Sequence, residues 1–322
     1  MWNLLIRRMF DGHPAGLRRM PNATPQPVLL EATQINQMVN VASVPQRSPF
    51  RYPGGKTWLV PHLRQWLSSL KARPSEFIEP FAGGGIVSLT VAAESLAGHV
   101  TMVEIDKQVA AVWQTIINED GGGWLAGRIA TFALTPDSLN DFMSRCVRSV
   151  RERAFQTILK NRTYRGGILA AGSAPLKRGE NGKGIRSRWY AETLKRRILA
   201  IAGMRERITF IEGDGLKVIR QNAGRVRAAY FIDPPYTVAG KRAGRRLYHH
   251  SEIDHEELFR TMKTVAGDFL MTYDNTDGVR ELARGYGFDV EAIAMKNTHH
   301  AEMTELLIGR NLDWARLDHP NH

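Results

Sequence analysis

A short apolar run followed at once by three glycines constrains the fold of this chain more than any other feature. The run is Phe77–Phe81, the glycines are Gly83–Gly85, and Ile86–Ala97 continues with the small residues of a packed helix. Val100–Glu104 is then rich in β-branched residues, and Lys107–Asn118 has apolar residues at helical spacing. Strand, glycine turn, helix, strand and helix in this order predict a doubly wound parallel sheet.

The same pattern returns near the C-terminus after a break. Gly121–Gly123 marks the break, and helical pieces around Thr135–Leu159 and Trp189–Met204 flank a loop rich in Gly, Lys and Arg. Further strands are predicted at Ile208–Ile211, Ala228–Ile232, Phe269–Tyr273, Phe288–Ile293 and Glu305–Ile308. We therefore predict four segments: an extension of uncertain order (1–48), a first core part (49–120), an insertion (121–207) and a second core part (208–322).

Positive charge is concentrated in the insertion. The whole chain has a net charge of +12, and Arg145–Arg207 holds 17 Lys and Arg against four acidic residues. A solvated surface spreads such charge, whereas a face that binds a polyanion concentrates it. Nucleic acid is the predicted partner, and a merely soluble pair of basic helices is the alternative.

Composition excludes several other classes of protein. Apolar residues make up 43% of the chain, which is enough for a globular core, and the single cysteine, Cys146, excludes an internal disulfide. Charges interrupt every apolar run before it reaches the roughly 18–20 residues of a membrane span. No apolar block follows the basic residues at the N-terminus, as a secretory signal requires. These features predict a cytoplasmic protein.

The strongest chemical motif is Asp233-Pro234-Pro235-Tyr236, directly after the apolar run Ala228–Ile232. Ligands of open α/β sheets bind beyond the carboxyl ends of the strands, where this motif lies. The carboxylate of Asp233 and the carbonyl of Pro234 can accept both N–H bonds of an exocyclic amine, and two prolines stiffen that arrangement. Tyr236 offers a face for stacking a base taken out of a helix. The alternative is an ordinary turn at the end of a strand.

The glycine-rich turn is the second motif. Glycines after a strand let the backbone approach a ligand, although Gly83–Gly85 does not match the dinucleotide-binding fingerprint. Glu104 and Asp106 follow about twenty residues later, at the end of the next strand, where an acid accepts hydrogen bonds from ribose hydroxyls. Glu104 is the predicted ribose ligand, because Asp106 is also well placed to cap a helix.

The third motif, Phe50–Lys56, predicts by itself only a Pro-Gly turn before a helix. In this order, however, the three motifs closely resemble those of the Dam-like adenine methyltransferases of the D12 class, the alpha group. In that family the adenosylmethionine motif precedes Asp-Pro-Pro-Tyr, and the recognition region lies between them. Gly213–Leu216, Lys160–Ile168 and Glu305–Ile308 extend the resemblance, which covers about Phe50 to Ile308.

The resemblance implies a Rossmann-like seven-stranded methyltransferase sheet, mostly parallel with one antiparallel strand, carrying an inserted basic, mainly helical DNA-recognition domain. It implies S-adenosylmethionine as the cofactor, no metal, and a position for Lys56 near the methionine carboxylate. The aspartate of Gly213–Leu216 would read the cofactor's adenine amine. The predicted cofactor-binding residues are Tyr52, Pro53, Gly54, Gly55, Lys56, Glu79, Pro80, Phe81, Ala82, Gly83, Gly85, Glu104, Ile105, Asp106, Asp214, Gly215 and Leu216. The predicted DNA-binding residues are Asn161, Arg162, Tyr164, Arg165, Lys183, Arg186, Arg188, Lys241, Arg242, Arg245 and Arg246.

One departure from the family concerns the target sequence. Members that recognise GATC carry Asn and Arg where this chain has Gly166 and Ala170, and neither of these can make the bidentate contacts that discriminate bases. We expect the chemistry to survive and a strict GATC target to be lost.

The sequence thus predicts adenine-N6 methylation of double-stranded DNA by base flipping, of the kind found in restriction-modification systems. We expect a monomer that needs no membrane and no obligate protein partner, and that is nucleoid-associated and encoded by a bacterium or phage. The alternatives are cytosine-N4 methylation, for which the motif usually begins with Ser, RNA methylation, and a catalytically silent DNA-binding protein of the same fold.

Overall fold

The fold is described from a computed structural model. It defines residues 43–51, 55–167, 169, 172–235, 253–296 and 302–316, all within one compact unit, Ile35–His322. The last residues of the predicted extension belong to this fold, because Val44 is buried in the core and Arg47 pairs with Glu94 at 3.2 Å.

A seven-stranded sheet forms the centre of the molecule. Its strands are β1 (Glu76–Glu79), β2 (His99–Glu104), β3 (Ile208–Glu212), β4 (Ala228–Ile232), β5 (Asp268–Asp274), β6 (Asp289–Lys296) and β7 (Glu302–Gly309). Their order across the sheet is β3-β2-β1-β4-β5-β7-β6, and β7 runs antiparallel to both β5 and β6. The other neighbours are parallel. The predicted methyltransferase-type sheet with one antiparallel strand is confirmed.

Helices cover both faces of this sheet, as its parallel strands require. Those that the structure describes are α1 (Val60–Ser69), α2 (Ile86–Ala93), α3 (Lys107–Ile117), α4 (Gly121–Thr131), α5 (Pro136–Ser144), α6 (Val150–Thr163), α7 (Ala191–Ala202), α8 (Gly215–Asn222), α9 (His255–Thr264), α10 (Asp277–Gly285) and α11 (Asp313–Arg316). Two apolar clusters fill the interior. One contains Trp113 and Phe155, and the other contains Tyr230 and Phe259.

Helix starts follow from side chains that accept hydrogen bonds from the first backbone N–H groups. Asp106 caps α3, Thr135 and Ser138 form a capping box at α5, and Ser149 caps α6. The helical pieces predicted around Thr135–Leu159 are therefore two separate helices.

The glycines at 121–123 do not form the predicted break. They make the first turn of α4, which follows α3 after only a few residues. A Cβ atom on Gly121 would lie 2.1 Å from the carbonyl oxygen of Thr115, and one on Gly122 would lie 2.7 Å from the Cβ of Ala202. Close packing against α3 and α7 thus explains Gly121 and Gly122, whereas Gly123 has no atom within 4 Å of a Cβ position.

The helices between α3 and β3 contribute a group of aromatic rings to the first of these clusters. Phe132, Phe142, Phe155 and Trp189 pack edge to face with ring centroids 5.0–6.5 Å apart, and the guanidinium of Arg128 lies over three of these rings. Such pairs contribute roughly 0.5–1.5 kcal/mol beyond the area they bury. The inserted segment is mainly helical, as predicted.

Within the described part of the chain, no helix is both long and apolar enough to cross a membrane. The same residues contain no group of three or more His, Cys, Asp or Glu side chains placed to hold a metal ion.

Candidate active site

The glycine-rich turn lies between the carboxyl ends of β1 and β2. The backbone N–H of Gly83 donates to Oε2 of Glu104 at 2.9 Å, and the indole N–H of Trp113 donates to the Gly83 carbonyl at 2.9 Å. Gly85 has a φ of 66°, and a Cβ atom there would lie 2.7 Å from Met102 and 2.8 Å from Trp113. The turn is therefore fixed by its surroundings, and only glycine fits its last position.

Glu104 lies at the end of β2 and is 8% exposed. Its Oε1 accepts from the N–H of Asp106 at 2.8 Å, and its Oε2 accepts from Gly83. Burial raises the pKa of Glu104 to about 7. Each carboxylate oxygen has a second lone pair, so this side chain retains capacity for ligand hydroxyls. The next residue, Ile105, is 45% exposed and puts an apolar surface beside it.

Two of the predicted cofactor ligands are also helix caps. Asp106 accepts from the N–H of Gln108 at 2.7 Å, and Asp214 accepts from the N–H of Leu216 at 2.9 Å at the start of α8. A Cβ atom on Gly215 would lie 2.3 Å from the carbonyl oxygen of Pro80. Close packing thus brings the start of α8 against the glycine motif, as the predicted shared site requires.

Glu79 is a buried acid at the end of β1. Its Oε2 accepts from the N–H of Ser88 at 2.9 Å, which ties the strand to α2. Burial raises the pKa of Glu79 to about 8, because desolvation disfavours the charged carboxylate more than this hydrogen bond favours it. Pro80 and Ala82 are buried beside it, whereas Phe81 is half-buried.

Asp233 follows β4 and faces a cation. Its Oδ1 lies 3.0 Å from Nζ of Lys56 and accepts from the hydroxyl of Thr272 at 2.9 Å. Pro234 is buried and Pro235 is half-buried, whereas Tyr236 lies outside the described residues. Two partners on one oxygen fix the orientation of the carboxylate.

Lys56, which the resemblance places near the methionine carboxylate, has a side chain that is 3% exposed. Its ammonium lies between two protein carboxylates, 3.0 Å from Asp233 and 3.4 Å from Oε2 of Glu305. Burial lowers the pKa of Lys56, but the charges of Asp233 and Glu305 outweigh burial and raise it above the usual value. Glu305 and Thr272 were not among the predicted site residues. Glu305 could have been noticed in the sequence, because it is an acidic residue at the start of the apolar run Glu305–Ile308.

The structure corrects two DNA-binding predictions. Asn161 is fully buried, where it accepts from the N–H of Arg51 at 2.8 Å and donates to the carbonyls of Arg51 and Gly167 at 2.9 and 2.8 Å. Arg162 is 4% exposed, and its guanidinium donates to the carbonyl of Pro49. Because both side chains are used inside the protein, they hold the segment before the cofactor motif instead of contacting bases.

The other predicted DNA ligands are more accessible. Arg165, Lys183 and Arg186 are exposed, and Tyr164 and Arg188 are half-buried. Several predicted site residues lie outside the described ranges, namely Tyr52, Pro53, Gly54, Tyr236, Lys241, Arg242, Arg245 and Arg246. Gly55 is described and is exposed next to Lys56.

Three buried carboxyl groups with raised pKa values predict that stability falls as pH rises. The pKa values are about 8 for Glu79 and about 7 for Glu104 and Glu305, against 4.5 for an unperturbed Glu. Between these values the folded protein binds more protons than the unfolded chain, so the free energy of unfolding decreases with pH. We expect chemical denaturation to show lower stability at pH 8 than at pH 6.5.

Glu79→Gln is the control for this prediction, because the amide oxygen can still accept from Ser88 while the titrating group is gone. The variant should lose part of the pH dependence. Stability that stays constant or rises between pH 6.5 and 8 would contradict the assignment.

A family model identifies the family to which this chain belongs. The model of the D12 class N6 adenine-specific DNA methyltransferases matches residues 52–298. No curated protein sequence matches. Similar solved structures include a precorrin-6y C5,15-methyltransferase from Geobacter metallireducens GS-15, at 11% identity and a TM-score of 0.31, covering 77% of this chain and 84% of the other. They also include the rRNA methyltransferase aviRa from Streptomyces viridochromogenes, at 13% identity and a TM-score of 0.35, covering 79% and 84%. Because the family model spans most of the sequence and both chemical motifs, this chain belongs to the D12 class N6 adenine-specific DNA methyltransferases.

Proposed function

We propose that this enzyme methylates N6 of an adenine turned out of duplex DNA, and that Asp233 and the Pro234 carbonyl accept the two N–H bonds of the target amine. The observation that carries the proposal is the fixed orientation of Asp233 at the carboxyl end of β4. Lys56 and Thr272 both contact Oδ1, and the carboxylate held in this way is the proposed acceptor for one N–H bond of the amine. With both N–H bonds engaged, the nitrogen lone pair is directed toward the methyl donor.

The family implies S-adenosylmethionine as the methyl donor, and the residues at the ends of β1 and β2 fit it. The backbone of Gly83–Gly85 can approach a ligand closely, Glu104 offers lone pairs for ribose hydroxyls, and exposed Ile105 offers an apolar face for the adenine ring. The bound cofactor supplies an electrophilic methyl group on its sulfonium. Asp214 and Leu216, at the start of α8, complete the proposed adenine pocket.

The basic surface of the insertion supports duplex DNA as the substrate. Exposed Arg165, Lys183 and Arg186 supply cations for phosphates, which position a protein without specifying sequence. Methylation of RNA would need the same cations, and cytosine-N4 methylation would need the same acceptors. The product therefore has to be identified directly.

Incubation with methyl-labelled cofactor and plasmid DNA, followed by mass spectrometry of the nucleosides, tests the proposal. We expect N6-methyladenine. N4-methylcytosine would show that cytosine is the target base. Labelled RNA in a parallel reaction would show that RNA is a substrate. If neither DNA nor RNA is labelled, the protein would be a DNA-binding protein without methyltransferase activity.

We also expect relaxed target specificity. Gly166 is exposed with a φ of 67° and has no side chain to contact a base, and Ala170, outside the described residues, cannot donate a hydrogen bond from its side chain. Affinity should fall by at least about 10³-fold between about 50 and 200 mM salt if six or more phosphates are contacted, and should vary little between duplex sequences. Fluorescence polarisation measures the salt dependence, and methylated-base sequencing of a host expressing the enzyme measures specificity. Modification confined to one motif of four or more fixed bases would contradict the prediction.

A further inference from the structure

A buried charged network links four distant parts of the chain at the active site. Lys56 precedes α1, Asp233 follows β4, Thr272 lies in β5 and Glu305 lies in β7. Nζ of Lys56 is 3.0 Å from Oδ1 of Asp233 and 3.4–3.5 Å from the two carboxylate oxygens of Glu305. One ammonium is therefore shared between two carboxylates.

Burying these charged groups costs desolvation free energy. Glu305 is 6% exposed, and its Oε2 is buried without a hydrogen-bond partner in the described part of the chain, although it lies within ion-pair distance of Lys56. Desolvating a carboxylate costs several kcal/mol, and a packed apolar side chain is often as stable as a buried ion pair. Stability alone therefore does not account for Glu305.

We propose that Glu305 is a positioning residue for methyl transfer, which shares Lys56 with Asp233 and so keeps the Asp233 carboxylate oriented and electron-rich enough to accept from the target amine. This rests on the proposed role of Asp233. Glu305 itself touches neither the adenine nor the cofactor in this scheme. With Glu305 charged, Lys56 divides its attraction between two anions. With Glu305 neutral, Lys56 no longer divides its attraction between these two anions, so it attracts Asp233 more strongly and weakens it as an acceptor.

The charges around Glu305 make this sharing sensitive to pH. Burial raises the pKa of Glu305 to about 7; Lys56 lowers it, and Asp233 and Asp274 raise it further. Asp274 is the direct cross-strand partner of Glu305 on β5, and the partner on β6 is the apolar Ile293. Glu305 is thus neutral in acid and charged above neutrality, so the sharing is established as pH rises through about 7.

The test compares kcat at saturating cofactor and DNA for the wild type and Glu305→Gln between pH 6 and 8.5. We expect Glu305→Gln to lower kcat about tenfold at pH 8, less than the roughly 10²–10³ for loss of a direct contact. Both KM values should stay within about twofold of wild type, since this role affects the reacting amine rather than uniform binding. At pH 6 the two enzymes should converge, because the wild-type residue is then protonated. A purely structural defect would not disappear in acid.

Glu291→Gln is the matched control. Glu291 lies on the neighbouring strand β6 and pairs with Arg316 at 3.0 Å, away from the network. It should keep the wild-type rate and pH profile. If Glu305→Gln does the same, Glu305 has no positioning role. If the variant does not fold, the wild-type profile still decides, because a kcat that does not rise between pH 6 and 8 overturns the inference. A wild type that makes no methyladenine would instead refute the proposed function.

Discussion

Asp233→Asn is expected to lower kcat by about 10²–10³ while leaving the dissociation constant of the cofactor nearly unchanged. The amide has the same shape, and its oxygen can still accept from Thr272 and Lys56. Its NH₂ group then replaces one carboxylate oxygen and puts a donor where the proposed contact with the target amine needs an acceptor. The substitution therefore removes one acceptor and adds a repulsive contact without creating a cavity. Single-turnover kinetics measure the rate, and calorimetry measures cofactor affinity.

Asp268→Asn is the control for this prediction. Asp268 is an exposed acid at the start of β5, at the opposite edge of the sheet from the site, and the variant loses the same charge. It should keep wild-type turnover. An Asp233→Asn enzyme that retains more than a tenth of wild-type turnover would remove Asp233 from the catalytic role.

The strands and helices of the core could be predicted because a short stretch of sequence indicates each of them. Apolar runs predict the strands, and Asp106 begins α3 where an acid precedes a run with helical spacing. The motif positions follow from one rule, since the carboxyl ends of parallel strands lie at one edge of the sheet. This rule places Glu79, Glu104 and Asp233 together without any knowledge of tertiary contacts.

The partners of Asp233 could not be predicted in this way. Thr272 and Glu305 lie on β5 and β7, and whether the side chain of Glu305 faces Asp233 depends on the register of an antiparallel pair near the C-terminus. A shift of one residue in that register would turn Glu305 to the other face of the sheet, whereas the position of Thr272 depends on the parallel register of β4 and β5. Sequence spacing does not determine the register, so the ion-pair network became visible only in the structure.

The sequence also did not predict which side chains of the basic insertion are buried. Polar residues at the end of a basic helix predict a DNA-contacting surface, yet the last turn of α6 buries Asn161 and Arg162. The physical reason is that the backbone of residues 49–51 passes beside this turn and presents polar groups that require partners. A segment 110 residues earlier in the chain thus decides the role of Asn161.

Asn161→Ala tests that structural role, with an expected loss of about 3 kcal/mol in the free energy of unfolding. The substitution leaves the N–H and the carbonyl of Arg51 and the carbonyl of Gly167 without their side-chain partner. The bond to the Gly167 carbonyl is buried, and a buried backbone group left unsatisfied costs roughly 1–3 kcal/mol, whereas the two bonds to Arg51 are partly buried and each contributes less. Cofactor affinity should fall as well, because Arg51 directly precedes the predicted cofactor segment that begins at Tyr52. Urea denaturation and calorimetry measure the two effects.

Gln156→Ala supplies the matched comparison on the same helix. Gln156 also donates to two backbone carbonyls, those of Phe142 and Arg145, each at 3.2 Å, but it is closer to solvent and neither carbonyl belongs to residues 49–51. Water can replace its hydrogen bonds, so this variant should lose less than about 1.5 kcal/mol and bind cofactor normally. The opposite pattern for Asn161→Ala, with stability and cofactor affinity unchanged but DNA affinity reduced, would restore Asn161 as a DNA ligand. That pattern would require the last turn of α6 to open when DNA binds, because the side chain is otherwise enclosed on every side.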